Sequence, residues 1–258
     1  MNVRQLLGWT LPYESFNREE RNLAAIFFHA LNLSGSLGAF LEAAGCDPLV
    51  ADFSPAVYYE YAYLRDLWNG LADNEAKCKV IENVLAIDCV PQPSSLPVGD
   101  LNRLFGAAPK ASEKFVQSPG SWSVQQLNTS LEDNDDFLAA CVFKWCFKAK
   151  PDLVLQTGPE RVVCIEAKLE SGEGWYPAAS AEKAIFRSRG LSSVGQTEVQ
   201  RHLFERILGY ETEFILLAKK GPRSAGSHRH LSWADAFASM DCRGLPEFMK
   251  RTIRATTI

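Results

Sequence analysis

Asp152, Glu166 and Lys168 are the side chains whose types and spacing point most directly to chemistry. Asp152 precedes a short apolar run, Leu153 to Leu155, while Glu166 and Lys168 close a second one, Val162 to Ile165. Thr157-Gly158-Pro159-Glu160 between them is turn-forming, so the stretch predicts a β-hairpin. Asp152 and Glu166 are equally far from Pro159, and a symmetric hairpin sets them opposite each other with Cα atoms roughly 4.5–5.5 Å apart. Lys168, two residues beyond Glu166, shares that face because side chains alternate along a strand.

Two carboxylates held so close repel, which is poor for stability but well suited to a hard divalent cation that takes oxygen ligands. Mg²⁺ or Mn²⁺ is therefore the expected cofactor. A neighbouring lysine could orient or deprotonate an attacking water and offset the charge that builds on a phosphate in the transition state. Together these groups have the chemistry of phosphodiester hydrolysis. A Glu-x-Lys triplet alone is an ordinary solvated pair on an edge strand; the Pro-Asp at the matching register and the apolar run before the glutamate set this one apart.

Pro151-Asp152 followed by Glu166-Ala167-Lys168 resembles the signature of the PD-(D/E)xK nuclease superfamily. The resemblance implies a restriction-endonuclease-like core, a mixed sheet flanked by helices. It implies metal ligation by Asp152, Glu166 and the backbone carbonyl of Ala167, with Lys168 as the catalytic lysine. The helix before the hairpin often adds an acid in that superfamily, and Asp136 is the nearest candidate; an acid favoured by the helix dipole explains it as well. Many members carry Gln-x-x-x-Tyr on the following helix. Here Gln196 is followed at that spacing by Gln200, and Gln200 by Phe204, so the match is partial and both glutamines are weak candidates for substrate contact.

The elements that would carry these residues read as follows. Asn17-Arg18-Glu19-Glu20 has the form of a capping box opening a helix to Leu33, with Glu20 reaching back to the cap. A short helix over Ala39 to Ala44 stops at Gly45. Ser54-Pro55 reads as the start of a helix to Trp68 bearing Tyr58, Tyr59, Tyr61 and Tyr63, aromatic residues that suit a packed core or interface better than a base-stacking surface. Another helix spans Asn74 to Ile87, and Pro91 to Pro97 is the best linker candidate. The division expected is thus an all-helical module over 1–90 for substrate selection, a protein partner or homo-oligomerisation, an irregular 91–124, and a nuclease domain over 125–258.

Residues 100–131 show little pattern beyond a helical turn near Leu101 to Phe105. Asp133 or Asn134 caps a helix to about Phe147. Past the hairpin comes a glycine-rich loop, Glu170 to Pro177. The segment Ala178 to Gly190 follows, with Lys183 and Arg187 at i,i+4 spacing suited either to phosphates or to a solvated face. An amphipathic helix from Gln196 to Gly209 leads to a strand over Glu213 to Ala218. Lys219 through His230 reads as a basic, flexible segment, and terminal helices begin near Ser232 and Leu245.

Composition sets outer bounds. The chain has 258 residues, 47% hydrophobic and 22% charged, and a net charge of −4, which fits an ordinary globular protein. Residues 1–133 hold 9 Lys/Arg against 16 Asp/Glu and residues 134–258 hold 18 against 15, so the half with the motif is the more basic one. A nucleic acid is the expected partner, DNA ahead of RNA, with a bacterial defence or DNA-repair setting implied by the resemblance alone. The alternative is a non-catalytic nucleic-acid-binding or scaffold module on the same fold. Seven cysteines without zinc or cluster spacing suit buried thiols in a reducing compartment. No apolar run reaches the ~20 residues of a membrane span and the first residues lack a secretory pattern, so the cytoplasm is the expected location. No Walker loop, nucleophile elbow or dinucleotide fingerprint is present.

Overall fold

In the computed structural model, residues 19–85, 92–106, 112–169, 173–219 and 228–257 are described. Asn17 of the expected capping box, Cys89, the loop residues 170–172 and most of the basic segment after Lys219 lie outside them. In chain order the elements begin with α1 (Glu20–Ser34), α2 (Leu37–Ala43) and β1 (Ala56–Tyr59). Then come α3 (Tyr63–Gly70), α4 (Asn74–Val84), α5 (Val98–Leu104), α6 (Val124–Ser130) and α7 (Asn134–Cys146). The hairpin is β2 (Leu153–Gly158) and β3 (Arg161–Ala167), followed by β4 (Trp175–Tyr176), α8 (Ser180–Ser188), β5 (Val194–Gly195) and α9 (Gln196–Arg201). β6 (Glu211–Ala218), β7 (Arg229–Ser232), α10 (Trp233–Ala238) and α11 (Glu247–Thr257) complete the chain.

The fold is α/β, built on a five-stranded mixed sheet of order β1-β2-β3-β6-β7. The β1-β2 and β2-β3 pairings are antiparallel and β6-β7 is parallel. The chain divides into two compact units, one of Met1–Tyr61, Pro151–Gly172 and Thr212–Ile258, the other of Ala62–Lys150 and Glu173–Glu211. Both are discontinuous in sequence, and their limits fall elsewhere than the expected divisions at 90 and 125.

The first unit holds the sheet. Leu23, Ile26, Phe27, Ala30 and Leu31 recur at three- and four-residue spacing along α1 and are all buried. Gly35, at φ +65, supplies the left-handed residue that ends this helix. The face of the sheet that α1 covers carries Leu153, Leu155, Val163, Ile165, Ala167, Ile215, Leu217 and Leu231. Phe27 meets Phe40, Trp233 and Phe237 edge-on with ring centroids 5.2–5.8 Å apart, locking α1, α2 and α10 together. Truncating Phe27 to alanine would cost about 3–5 kcal/mol.

Two expectations for this unit are corrected. The helix expected from Pro55 to Trp68 is a strand followed by a shorter helix, because Ala56-Val57-Tyr58-Tyr59 pairs with Gln156 to Leu153 as the edge of the sheet. A β-branched and aromatic run suits that role, and the partner that decides it is nearly one hundred residues away. The basic segment near His230 also contains a strand: Arg229 opens β7 and is held by Glu213 at 2.6 Å and by the carbonyl of Gly45, so it is engaged within the protein.

The second unit is mostly helical. Asp133 accepts hydrogen bonds from the backbone N–H of Asp135 and Asp136, capping α7. Trp145 of α7 stacks on Tyr176 at 5.1 Å and meets Phe186 of α8 at 5.6 Å. The weakly patterned stretch 100–131 is helical over α5 and α6, with Phe105 stacked on Trp122 at 4.1 Å. The helix expected to run from Gln196 to Gly209 is α-helical only to Arg201, and His202–Ile207 widens into a π turn.

Candidate active site

The β2-β3 register pairs Leu153 with Ile165, Val154 with Cys164, Leu155 with Val163 and Gln156 with Val162. Asp152 immediately precedes the first of these residues and Glu166 immediately follows its partner, so the ladder leads the two acids to the same end of the hairpin. Symmetry about Pro159 holds along this ladder and is broken only at the turn, where a bulge at Thr157 lets Gly158 pair with Arg161. The glycine there is steric: a Cβ would fall 2.7 Å from Val50 Cγ2.

Asp152 is clamped from both sides. Its Oδ2 accepts from the backbone N–H of Ala167 at 2.8 Å, and its own carbonyl accepts from Glu60 N–H at 2.8 Å. Glu166 is 6% exposed, and Lys168 donates from Nζ to Glu166 Oε1 at 2.6 Å. The backbone of Lys168 is fixed as well: its N–H donates to the Leu217 carbonyl at 2.7 Å, and its carbonyl accepts from Trp233 Nε1 at 2.8 Å. A lysine anchored this way cannot leave the sheet without breaking a strand contact and an indole hydrogen bond.

The electrostatics follow from burial. Desolvation, then the facing Glu166, pushes the Asp152 carboxyl up to about 7, against the stabilising pull of the Ala167 amide and Lys168. For Lys168, burial disfavours the ammonium, but Glu166, its hydrogen bond, Asp152 and Glu20 outweigh burial and raise its pKa above the ordinary lysine value. Lys168 is therefore held as a cation at neutral pH, while Asp152 gives up its proton only near neutrality.

Glu20 is the residue that sequence reasoning assigned elsewhere. It sits in the first turn of α1, and its Oε1 accepts from the backbone N–H of Leu169 at 3.0 Å, just past Lys168. Its charge acts on both Asp152 and Lys168. An acid in a first helical turn looks the same in sequence whether it serves its own helix or a distant site, and no local signal separates the two.

The remaining candidates belong to the second unit. Asp136, in the first turn of α7, is half-buried; Lys183 and Arg187 are exposed on α8. Gln200 is buried at 1% exposure, and Gln196 opens α9, its N–H donating to the Gly174 carbonyl. Arg189, next to Arg187, is fully occupied: its guanidinium donates to Asn128 Oδ1, Asn134 Oδ1 and the carbonyls of Asn128, Leu131 and Glu132, and lies over the Phe137 ring at 4.3 Å.

Asp152 and Glu166 supply two carboxylates on neighbouring strands, an oxygen donor set of the kind Mg²⁺ and Mn²⁺ take. Among the described residues no group of three or more His, Cys, Asp or Glu side chains is placed to hold a metal ion, so backbone oxygen, water or substrate would have to complete the shell. Cys46 and Cys141 are buried, and burial above all pushes their thiols up to about 12. No described helix is long and apolar enough to cross a membrane. Compared with protein-family models, curated proteins and solved structures, the chain matches none.

Proposed function

We propose that the protein is a divalent-metal-dependent nuclease that hydrolyses phosphodiester bonds, with DNA as its substrate, on a restriction-endonuclease-like core. The observation that carries this reading is the convergence of half-buried Asp152 and Lys168 with buried Glu166 at one end of the β2-β3 hairpin, with Lys168 2.6 Å from Glu166 and Asp152 anchored on Ala167. A fold under no functional demand has little reason to keep two close acids there, since desolvation and repulsion make them costly. The meander β1-β2-β3 extended by β6 and β7 is compatible with the core that the motif implies.

Asp152, Glu166 and the Ala167 carbonyl would hold Mg²⁺ or Mn²⁺, which supplies Lewis-acid stabilisation of the phosphate and a more acidic water. Lys168, kept cationic by its acidic neighbours, donates to the negative charge that grows on the phosphate oxygens. Glu166 aims that ammonium, and the Leu217 and Trp233 contacts hold its backbone in place. Glu20 tethers the chain just after Lys168, so α1 positions the reacting end of the strand. Lys183 and Arg187, exposed on α8, are proposed as phosphate contacts of the second unit.

The test is incubation of the purified protein with single- and double-stranded DNA and RNA in Mg²⁺, Mn²⁺ or EDTA, beside Lys168→Ala. Metal-dependent cutting of DNA that the variant lacks is the expected result. Equal binding by both proteins with no cutting under any condition would instead identify a non-catalytic binding module.

A further inference from the structure

Strand β1 brings a pair of tyrosines to the same end of the sheet as the acids. Tyr58 lies directly across from Val154, so its side chain leaves the sheet on the face shared by Val154, Gln156 and Asp152. Its hydroxyl lies 3.5 Å from Gln156 Oε1, in agreement with that register. The next residue confirms the alternation: Tyr59 turns to the opposite face, packs on Phe28 at 5.9 Å and donates its hydroxyl hydrogen to the Arg21 carbonyl. Tyr58 remains 41% exposed, although it stands beside a buried strand pair.

The chain then bends at Glu60, whose φ of +52 is unusual for a residue with a side chain. Hydrogen bonds from Glu60 N–H to the Asp152 carbonyl and from Tyr61 N–H to the Pro151 carbonyl fix the bend to the Pro-Asp itself. The bend returns Tyr61 to Tyr58, with ring centroids 5.2 Å apart and planes tilted by 52°. Across an antiparallel pair, Asp152 is the diagonal neighbour of Tyr58, at about 7–8 Å between Cα atoms. An exposed aromatic ring, propped by a second ring and carried on a segment whose backbone is hydrogen-bonded to the Pro-Asp, has the layout of a base platform beside a phosphate site.

We infer that Tyr58, supported by Tyr61, stacks against an unpaired base of the nucleotide strand whose phosphate lies at Asp152 and Glu166. The substrate class is thus a nucleic acid with an unstacked base next to the cut, either single-stranded or locally opened. This inference rests on the nuclease reading above. A fully paired duplex offers no free base face to the platform, so pairing at that position blocks it.

The experiment uses the full chain with Mg²⁺ and a set of single-stranded DNA oligonucleotides in which each position in turn is abasic, beside a paired duplex and the same duplex with one mismatch. Loss of a single base near the cut should raise the wild-type KM roughly 5- to 150-fold, the range for one base–aromatic stack, and Tyr58→Ala should raise the KM of the intact strand similarly. Tyr58→Ala should then no longer discriminate the abasic strand, Tyr58→Phe should behave as wild type, and the mismatch should be cut faster than the paired duplex. Circular dichroism and melting of both variants establish that they fold. Metal-dependent cutting in which no abasic position matters, or in which Tyr58→Ala keeps the same penalty, overturns the platform and leaves the nuclease reading standing. Absence of metal-dependent cutting of any strand overturns both.

Discussion

Replacing Asp152 with asparagine should stabilise the metal-free protein at alkaline pH while abolishing its activity. In the unfolded chain this carboxyl ionises near 3.8; in the fold, burial and then Glu166 hold its proton up to about 7. Between those values the native state binds more protons than the unfolded state, so stability falls as pH rises through that window, and the cost is complete above it. Roughly three pKa units at about 1.4 kcal/mol each give an upper value of about 4 kcal/mol. Asparagine does not ionise, yet its Oδ1 still accepts from the Ala167 N–H, so the structural hydrogen bond survives. Denaturant unfolding in EDTA should therefore show Asp152→Asn more stable than wild type by about 2–4 kcal/mol at pH 8 and by nearly nothing at pH 4. An equal gain at both pH values would trace the effect to something other than ionisation. A loss of stability at pH 8 would refute the reasoning, because it would mean the ionised carboxylate is well satisfied where it sits.

Other consequences can be checked with similar measurements. Lys168→Ala strands the buried Glu166 carboxylate and should cost about 3–5 kcal/mol by denaturant unfolding in EDTA, in addition to eliminating cutting. Mg²⁺ should raise the melting temperature of wild type and leave that of Asp152→Asn unchanged, since only a state that binds the ion gains from it. Arg189→Lys should be about as harmful as Arg189→Ala, at roughly 2–4 kcal/mol, because an ammonium cannot reach five acceptors at once; Lys183→Ala and Arg187→Ala should stay within about 0.5 kcal/mol of wild type. Gly158→Ala should lower the melting temperature by pressing on Val50, and Val50→Ala should recover part of that loss in the double variant.

Much of the hairpin was legible in the chain because its information is local. Two apolar β-branched runs about a Gly-Pro turn define a register by counting, and the ladder from Leu153–Ile165 to Gln156–Val162 follows that count. The helices α1 and α7 were likewise written in apolar spacing and, for α7, in the Asp133 cap. The need for glycine at 158 was not, because the side chain a Cβ would strike there is that of Val50, on a distant segment.

What only the tertiary structure decided concerns partners far apart in sequence. Ala56 to Tyr59 reads locally as the first turn of a proline-started helix, and becomes a strand because β2 offers it a ladder nearly one hundred residues away. Glu20 reads as a capping acid, and its Oε1 accepts from Leu169 because α1 packs on the sheet that ends there. Arg229 reads as part of a basic, flexible segment, and is consumed by Glu213 and the Gly45 carbonyl; Arg189, which no local pattern singles out, is consumed by carbonyls and amide oxygens that the fold gathers around it. The sequence alone specified which residue types meet within a hairpin's reach, since chain connectivity and alternation fix that geometry. That Glu20 and Tyr58 would join them near the hairpin's end depended on long-range packing, where local propensity is outweighed by buried contacts that no short window contains.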